Sequence, residues 1–262
     1  MVSSTKITSL QNPRVKHLVK LQGDRKARTE AGLALVEGFD EISLAVAGGH
    51  VPMTLVRAPS LATEPAPAES RETLLVSESV FRKLTYRENP DGWLGVFRTP
   101  RRDLDQLEAG NPALILVLDG VEKPGNIGAI LRTADAAGVD AVILSDGRVD
   151  LWNPNVVRAS RGAVFTVEAV EAEADASVRW IRAHGLRIVA ASPSAPSNYV
   201  AADLRGPLAI AVGAEDVGLS DFWLRQADLT VSIPMRGHVN SLNASVAAAL
   251  LIYEVVRQRG SA

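Results

Sequence analysis

Short apolar runs, each bounded by Gly, Pro or charged residues, recur along the C-terminal part of the chain and alternate with stretches of helical period. The runs at 113–118, 141–144, 186–190, 208–212 and 229–233 have the length and β-branched content of buried strands. Segments 126–137, 176–184 and about 241–258 read as helices, the second ended by Gly185. Apolar strands separated by helices predict an α/β fold with a mostly parallel sheet covered on both faces.

The first hundred residues repeat this alternation more loosely. Asn12-Pro13 opens a helix to about Gln22, with Val15, Leu18, Val19 and Leu21 on its apolar side. Leu33-Ala34-Leu35-Val36 reads as a buried strand ended by Glu37-Gly38, and a helix follows to Gly48-Gly49. Further strands are expected at 53–56, 73–76 and 93–97, with a helix at 77–84. The stretch 58–69, rich in Pro, Ala and Glu, reads as a surface loop. A polar segment, Arg98-Thr99-Pro100-Arg101-Arg102-Asp103, precedes the next strand. The expected organisation is a smaller α/β domain over 1–100, a linker over 101–112 and a second domain over 113–262.

Composition narrows the chemistry. Hydrophobic residues at 47% and charged residues at 22% suit a soluble protein with a substantial core. The chain has no cysteine, which excludes disulfides, thiolate metal sites and a cysteine nucleophile. Its four histidines show no metal-binding spacing, so no metal is expected. The start lacks an apolar leader, and the apolar stretch 242–256 is too short to span a bilayer and contains Glu254. A soluble cytoplasmic protein with no membrane contact is the expectation. Net charge is −2, unlike a simple polycation. Its distribution is uneven: 15 Lys/Arg face 11 Asp/Glu in 1–102, against 13 and 19 in the remainder. Residues 6–28 hold seven basic side chains and one acid, Asp24, either a solvated helix face or a footprint for nucleic acid.

Three constellations in the second domain carry candidate chemistry. The first, Asp119-Gly120-Val121-Glu122-Lys123-Pro124-Gly125-Asn126-Ile127-Gly128 running on to Arg132, joins a strand to a helix. Backbone N–H groups at a helix start favour anions, but glycines at 120, 125 and 128 miss the dinucleotide-binding spacing. Asn126 is either an N-cap or a site residue. Arg132 is either a surface salt-bridge partner or, among Ile130, Leu131 and Ala134, a residue with a specific role. The second constellation is Gly213-Ala214-Glu215-Asp216-Val217-Gly218-Leu219-Ser220. Its glycines allow backbone to approach a ligand just past a strand's carboxyl end, and Ser220 alternatively caps a helix. The third runs from Ile233-Pro234-Met235 to Ser241-Leu242-Asn243-Ala244-Ser245. Capping explains one of the three polar residues Ser241, Asn243 and Ser245 at a helix start, not all three. His238 in the loop between reads as incidental.

In order and spacing, these motifs resemble the SpoU/TrmH class of the SPOUT methyltransferases over about 113–258. The first domain, with Ser9-x-x-Asn12-x-Arg14-Val15-Lys16 and Val36-Glu37-Gly38, is similar to the substrate-binding domain of two-domain rRNA ribose methyltransferases. The resemblance implies a trefoil-knotted domain, a homodimer with its active site near the subunit interface, and transfer of a methyl from S-adenosylmethionine to a ribose 2′-hydroxyl. It implies cofactor contacts from Ser192, Gly213, Ala214, Glu215, Gly218, Ile233, Met235, Leu242 and Asn243. It places Arg132 at the centre of catalysis, with Asn126, Glu215, Ser241 and Asn243 ordering the site and Asn126 acting across the dimer. Because a guanidinium stays protonated, Arg132 is better read as binding a phosphate and orienting the hydroxyl than as a base. RNA contacts are expected from Asn12, Arg14, Lys16, Lys20, Arg28 and Arg132, with rRNA favoured over tRNA. A tRNA ribose methyltransferase and a non-catalytic RNA-binding factor on the same fold are the alternatives. The absent dinucleotide fingerprint argues against a dehydrogenase.

Overall fold

The computed structural model describes residues 4–100, 102–145 and 150–260. The chain divides into two compact units, one up to Pro100 together with Asp150–Thr166, the other comprising the rest.

The first unit opens with β1 (Ser4–Ile7), α1 (Pro13–Gly23), α2 (Arg25–Ala31), β2 (Leu33–Glu37) and α3 (Phe39–Ala47). It continues through β3 (Thr54–Arg57), β4 (Glu72–Val76), α4 (Glu78–Leu84) and β5 (Trp93–Arg98). Its five strands lie in the order β1-β4-β3-β5-β2, with β5 antiparallel to both neighbours. Helix α1 forms where predicted: the Asn12 side chain caps the N–H of Arg14 at 2.9 Å and Pro13 occupies the first turn. Its buried face, Val15, Leu18 and Leu21, joins Phe81 and Leu84 of α4 on the sheet side chains Leu35, Val56, Leu74 and Leu94. Burial stabilises each of these large side chains by about 1.5–3 kcal/mol. Between β3 and β4, the stretch 58–69 has no regular structure.

The second unit carries β6 (Leu114–Asp119), α5 (Pro124–Ala137) and β7 (Ala141–Ser145). The chain then returns to the first unit through α6 (Pro154–Ala159). The second unit resumes with β8 (Glu168–Ala172), α7 (Ala174–Ala183), β9 (Arg187–Ala191), β10 (Ser197–Asn198), β11 (Leu208–Gly213), α8 (Asp221–Gln226), β12 (Leu229–Ser232) and α9 (Ala244–Gly260). Its seven strands are all parallel, in the order β10-β12-β9-β11-β6-β7-β8. One face buries Ile115, Val117, Ile143 and Ile188 against Trp180 of α7 and Trp223 of α8. Helices α5 and α9 pack together, and α9 also meets β11.

Three expectations are corrected. Residues 101–112 are not a free linker. Leu107 is buried in the second core and Leu104 packs against it, while Arg102 bonds the Val167 carbonyl at 3.2 Å and pairs with Glu168 at 2.8 Å. Arg101 lies outside the described residues. The second domain is not continuous from 113, because Asp150–Thr166 belongs to the first unit. There Phe165 meets Phe97 at 5.4 Å and His50 at 5.2 Å between ring centroids, and Val156 and Val157 are buried. Helix α9 begins at Ala244, so Ser241 and Leu242 lie in the preceding loop. Elements β1, α2, α6, β8, β10 and α8, not anticipated from the residue pattern, complete the fold. Among the described residues, no helix is long and apolar enough to cross a membrane.

Candidate active site

Because the strands of the second sheet are parallel, the loops following β9, β11 and β12 gather at one edge, where ligands bind in open α/β sheets. They enclose a cavity of about 520 Å³. The loop after β9 contributes Ser192, whose N–H donates to the Val231 carbonyl at 2.9 Å. The loop after β11 contributes Gly213, Ala214, Glu215 and Gly218. The loop after β12 contributes Ile233, Met235, Ser241 and Leu242. The folded chain thus brings together every predicted cofactor-binding residue except Asn243, which is not part of the cavity wall.

The β11 loop needs both of its glycines. Gly218 has φ +70°, and its N–H closes the turn on the Ala214 carbonyl at 2.8 Å. A Cβ on Gly213 would stand 2.0 Å from the Gly218 carbonyl carbon, so backbone fills the place of a side chain. The buried carboxylate of Asp119, at the end of β6, accepts the Ser220 N–H at 2.7 Å and holds the far side of the loop. Ser220 is the N-cap of α8 but makes no side-chain cap bond.

Glu215 is the hub of a polar cluster. It accepts a hydrogen bond from Asn126 Nδ2 at 2.9 Å and others from Lys123 Nζ and Asn243 Nδ2. Asn243 Nδ2 also donates to Asn126 Oδ1 at 3.1 Å. Asn126 is not an N-cap: α5 begins two residues earlier at Pro124, so the amide is free to face Glu215 from the first turn. Asn243 is the residue that caps α9, its Oδ1 accepting the Ser245 N–H at 2.9 Å. Hydrogen bonds from Lys123 and then Asn126 hold the Glu215 carboxyl below the ordinary carboxylate range, and Glu215 raises the Lys123 ammonium. The cluster is therefore ionised at neutral pH.

Arg132 stands apart. It is exposed on α5, six residues beyond Asn126, and its guanidinium makes no hydrogen bond or ion pair among the described residues. Its guanidinium is available for a ligand.

The predicted RNA-contacting residues divide. Lys16 and Lys20 are exposed on α1. Asn12 serves as the cap of α1, and Arg14 is paired with Glu72. Arg28 does not reach solvent: it is 3% exposed, donates to the Leu21 carbonyl at 2.6 Å and the Gln22 carbonyl at 3.0 Å, and pairs with Asp150. It is a structural residue, since a buried guanidinium with these partners has no room for a phosphate.

The sequence reading missed Lys123, although it lies inside the first motif; a charged residue before a proline carries no pattern of its own. Asn240 and Asp221 also line the cavity.

The chain belongs to the SpoU rRNA methylase family, which matches residues 113–253. Residues 12–95 match the MRM3-like substrate binding domain. The 23S rRNA (uridine(2479)-2′-O)-methyltransferase of Streptomyces viridochromogenes is 34% identical over 98% of this chain and 93% of its own length. A solved RNA 2′-O ribose methyltransferase, 43% identical, superposes with a TM-score of 0.87 over 97% of this chain and 99% of the other. The SpoU methyltransferase AviRb from S. viridochromogenes, solved in complex with the cofactor AdoMet, is 32% identical, with a TM-score of 0.88 over 96% and 99% of the two chains.

Proposed function

We propose that this chain transfers a methyl group from S-adenosylmethionine to a ribose 2′-hydroxyl of rRNA. The observation that carries the reading is the convergence of Lys123, Asn126 and Asn243 on Glu215, beside a cavity walled by the family's cofactor-binding positions. The cavity fits the cofactor: its volume is in the range of cofactor sites, and the backbone packing at Gly213 leaves peptide groups instead of side chains at the strand ends. When bound there, S-adenosylmethionine supplies a methyl carbon already activated by the sulfonium.

The protein's part is alignment. Gly213, Ile233 and Leu242 position the cofactor by shape and backbone, and the Glu215 cluster fixes the β11 loop against α5 and the start of α9. Arg132 binds a phosphate next to the target nucleotide and orients its hydroxyl for in-line attack. Transfer would exchange the methyl–sulfur bond of the cofactor for a methyl–oxygen bond on the ribose, leaving the neutral thioether S-adenosylhomocysteine and passing the hydroxyl proton to solvent.

A homodimer completes the site. The groove between α5 and α9 is lined by Ala129, Thr133, Tyr199 and Ala249. Beside it α9 leaves Val246 46%, Leu250 37% and Tyr253 47% exposed. A contiguous apolar face of this kind suits a second copy of the chain. Arg132, next to Thr133, then lies at the border of the paired face, and Asn126 lies on the same helix. We assign the C-terminal segment a trefoil knot, supported by β12 lying beside β9 while α9 returns to β11 and α5. Lys16 and Lys20 add affinity for RNA phosphates, and the reaction takes place in the cytoplasm, where rRNA is made and assembled.

Transfer of labelled methyl from S-adenosylmethionine to purified 23S rRNA and to bulk tRNA tests the substrate. Label in 23S rRNA is expected; label in tRNA alone would contradict the proposal.

A further inference from the structure

Just past the end of α4 an aromatic side chain stands in the open that neither the cores nor the cofactor cavity use. Tyr86 is 44% exposed, yet it is held at both ends. Its N–H donates to Glu37 Oε2 at 3.1 Å, its hydroxyl donates to the Gln22 carbonyl at 3.1 Å, and Glu37 is steadied by the Thr85 hydroxyl. A crevice of about 10 Å³ beside the ring, no larger than a water, is lined by Gln22, Leu35, Glu37, Leu84, Leu94 and Pro154, with Arg158 at its rim. Arg158 is exposed, and its guanidinium bonds only Asn155 of its own helix, at 3.2 Å, among the described residues. Lys83, three residues before Tyr86, and Lys20, two residues before Gln22, are also exposed and carry no ion pair among the described residues. All of these residues belong to the first unit.

We propose that Tyr86 and Arg158 form a stacking platform for an unpaired base of the RNA substrate. This rests on the reading of the chain as an RNA methyltransferase and assigns where its first unit meets bases instead of phosphates. The crevice is too small to admit a base, so the base stacks on the outside: an exposed flat ring with a planar guanidinium nearby suits the face of a nucleobase, and every base has such a face. Lys83 on α4 and Lys20 on the adjoining α1 are exposed and available to phosphates of the bound strand. A protein partner would call for a broader apolar patch than one aromatic ring. Because Tyr86 is fixed before any ligand arrives, little side-chain freedom is lost on binding.

The test compares the full chain with its Tyr86→Ala, Tyr86→Phe and Arg158→Lys variants. Each is titrated with in vitro transcribed 23S rRNA and with inorganic polyphosphate, which has the charge but no bases. Tyr86→Ala is expected to weaken rRNA binding about tenfold, the size of one lost base–aromatic stack. Tyr86→Phe stays within about twofold of wild type, and Arg158→Lys weakens rRNA binding several-fold while keeping the charge. Polyphosphate binding is unchanged in all three. Unchanged rRNA affinity in Tyr86→Ala, or an equal loss towards polyphosphate, overturns the platform. Wild-type protein that prefers rRNA to polyphosphate while the variants keep that preference removes the platform alone. Wild-type protein with no such preference removes the rRNA reading with it.

Discussion

In the seven-stranded sheet every strand runs the same way, so the loops after β9, β11 and β12 meet at one edge and close around a cavity. In the five-stranded sheet β5 runs against β3 and β2, and its connections are shared between both edges. The first arrangement makes a concave site at the strand ends, walled by glycine and other small residues together with Leu219, Leu224, Ile233, Met235 and Leu242. The second leaves its candidate contacts as side chains on helix surfaces and loops: Lys16 and Lys20 on α1, Lys83 on α4, Arg158 on α6 and Tyr86. The same kinds of residue therefore carry different weight in the two units. In the second unit Asn126 and Asn243 converge on Glu215, Asn243 also capping α9, whereas Asn12 in the first serves as a helix cap. Basic residues that read as one patch split into the exposed Lys16 and Lys20 and the buried Arg28.

The sharpest way to break this contrast is to put a side chain where the second unit uses backbone. Gly213→Ala forces its Cβ into Gly218, and overpacking against backbone costs about 1–3 kcal/mol or more. Isothermal titration is expected to show loss of S-adenosylmethionine binding by at least about 100-fold, a change that no substitution on α1 should match. Arg132→Ala is expected to lower the rate of methyl transfer about 100-fold, the scale of a lost orienting or charge-stabilising contact. Cofactor affinity should stay within about twofold, because Arg132 does not line the cavity.

Within the first unit, Arg28 and Lys20 should separate cleanly. Arg28→Ala strands Asp150 without its cation and should destabilise that unit by about 3–5 kcal/mol in a denaturant titration. Lys20→Ala should leave stability within about 0.5 kcal/mol, weaken rRNA binding modestly and reduce the slope of log affinity against log salt by about one.

A smaller effect concerns proton linkage at Glu215. Its carboxyl is depressed mainly by the Lys123 hydrogen bond, so the cluster is intact at neutral pH. The order it provides is lost only as pH falls through that depressed value. Lys123→Met removes the largest stabilising partner, and the Glu215 value rises toward the ordinary carboxylate range. The acid limb of a kcat/KM profile is then expected to move to higher pH. An unmoved limb would mean that Glu215 does not set it.

Much of this architecture was legible in the sequence, for identifiable reasons. The runs at β6, β7, β9 and β11 are buried on both faces, and such strands show as apolar blocks. Strand β8, Glu-Ala-Val-Glu-Ala, lies at a sheet edge with one buried position, and the edge strand β1 has four residues; neither carries a period long enough to stand out. The segment Asp150–Thr166 could not be placed, because its attachment rests on Phe165 against Phe97 and on Asp150 against Arg28, pairs remote in sequence. The same holds for the site. Asn126, Glu215 and Asn243 are far apart along the chain, and family resemblance brought them together before the fold did. Lys123 shows the limit of that route: its role comes from where its ammonium ends, on Glu215, and an exposed lysine carries no mark of it in sequence.

The most direct test of ribose methylation is nucleoside mass spectrometry of 23S rRNA incubated with S-adenosylmethionine and either wild-type protein or Arg132→Ala. A single 2′-O-methylated nucleoside formed by the wild type and almost absent with the variant is the predicted result. A methyl found on a base, or a ribose methylation that Arg132→Ala leaves at full rate, would contradict the account.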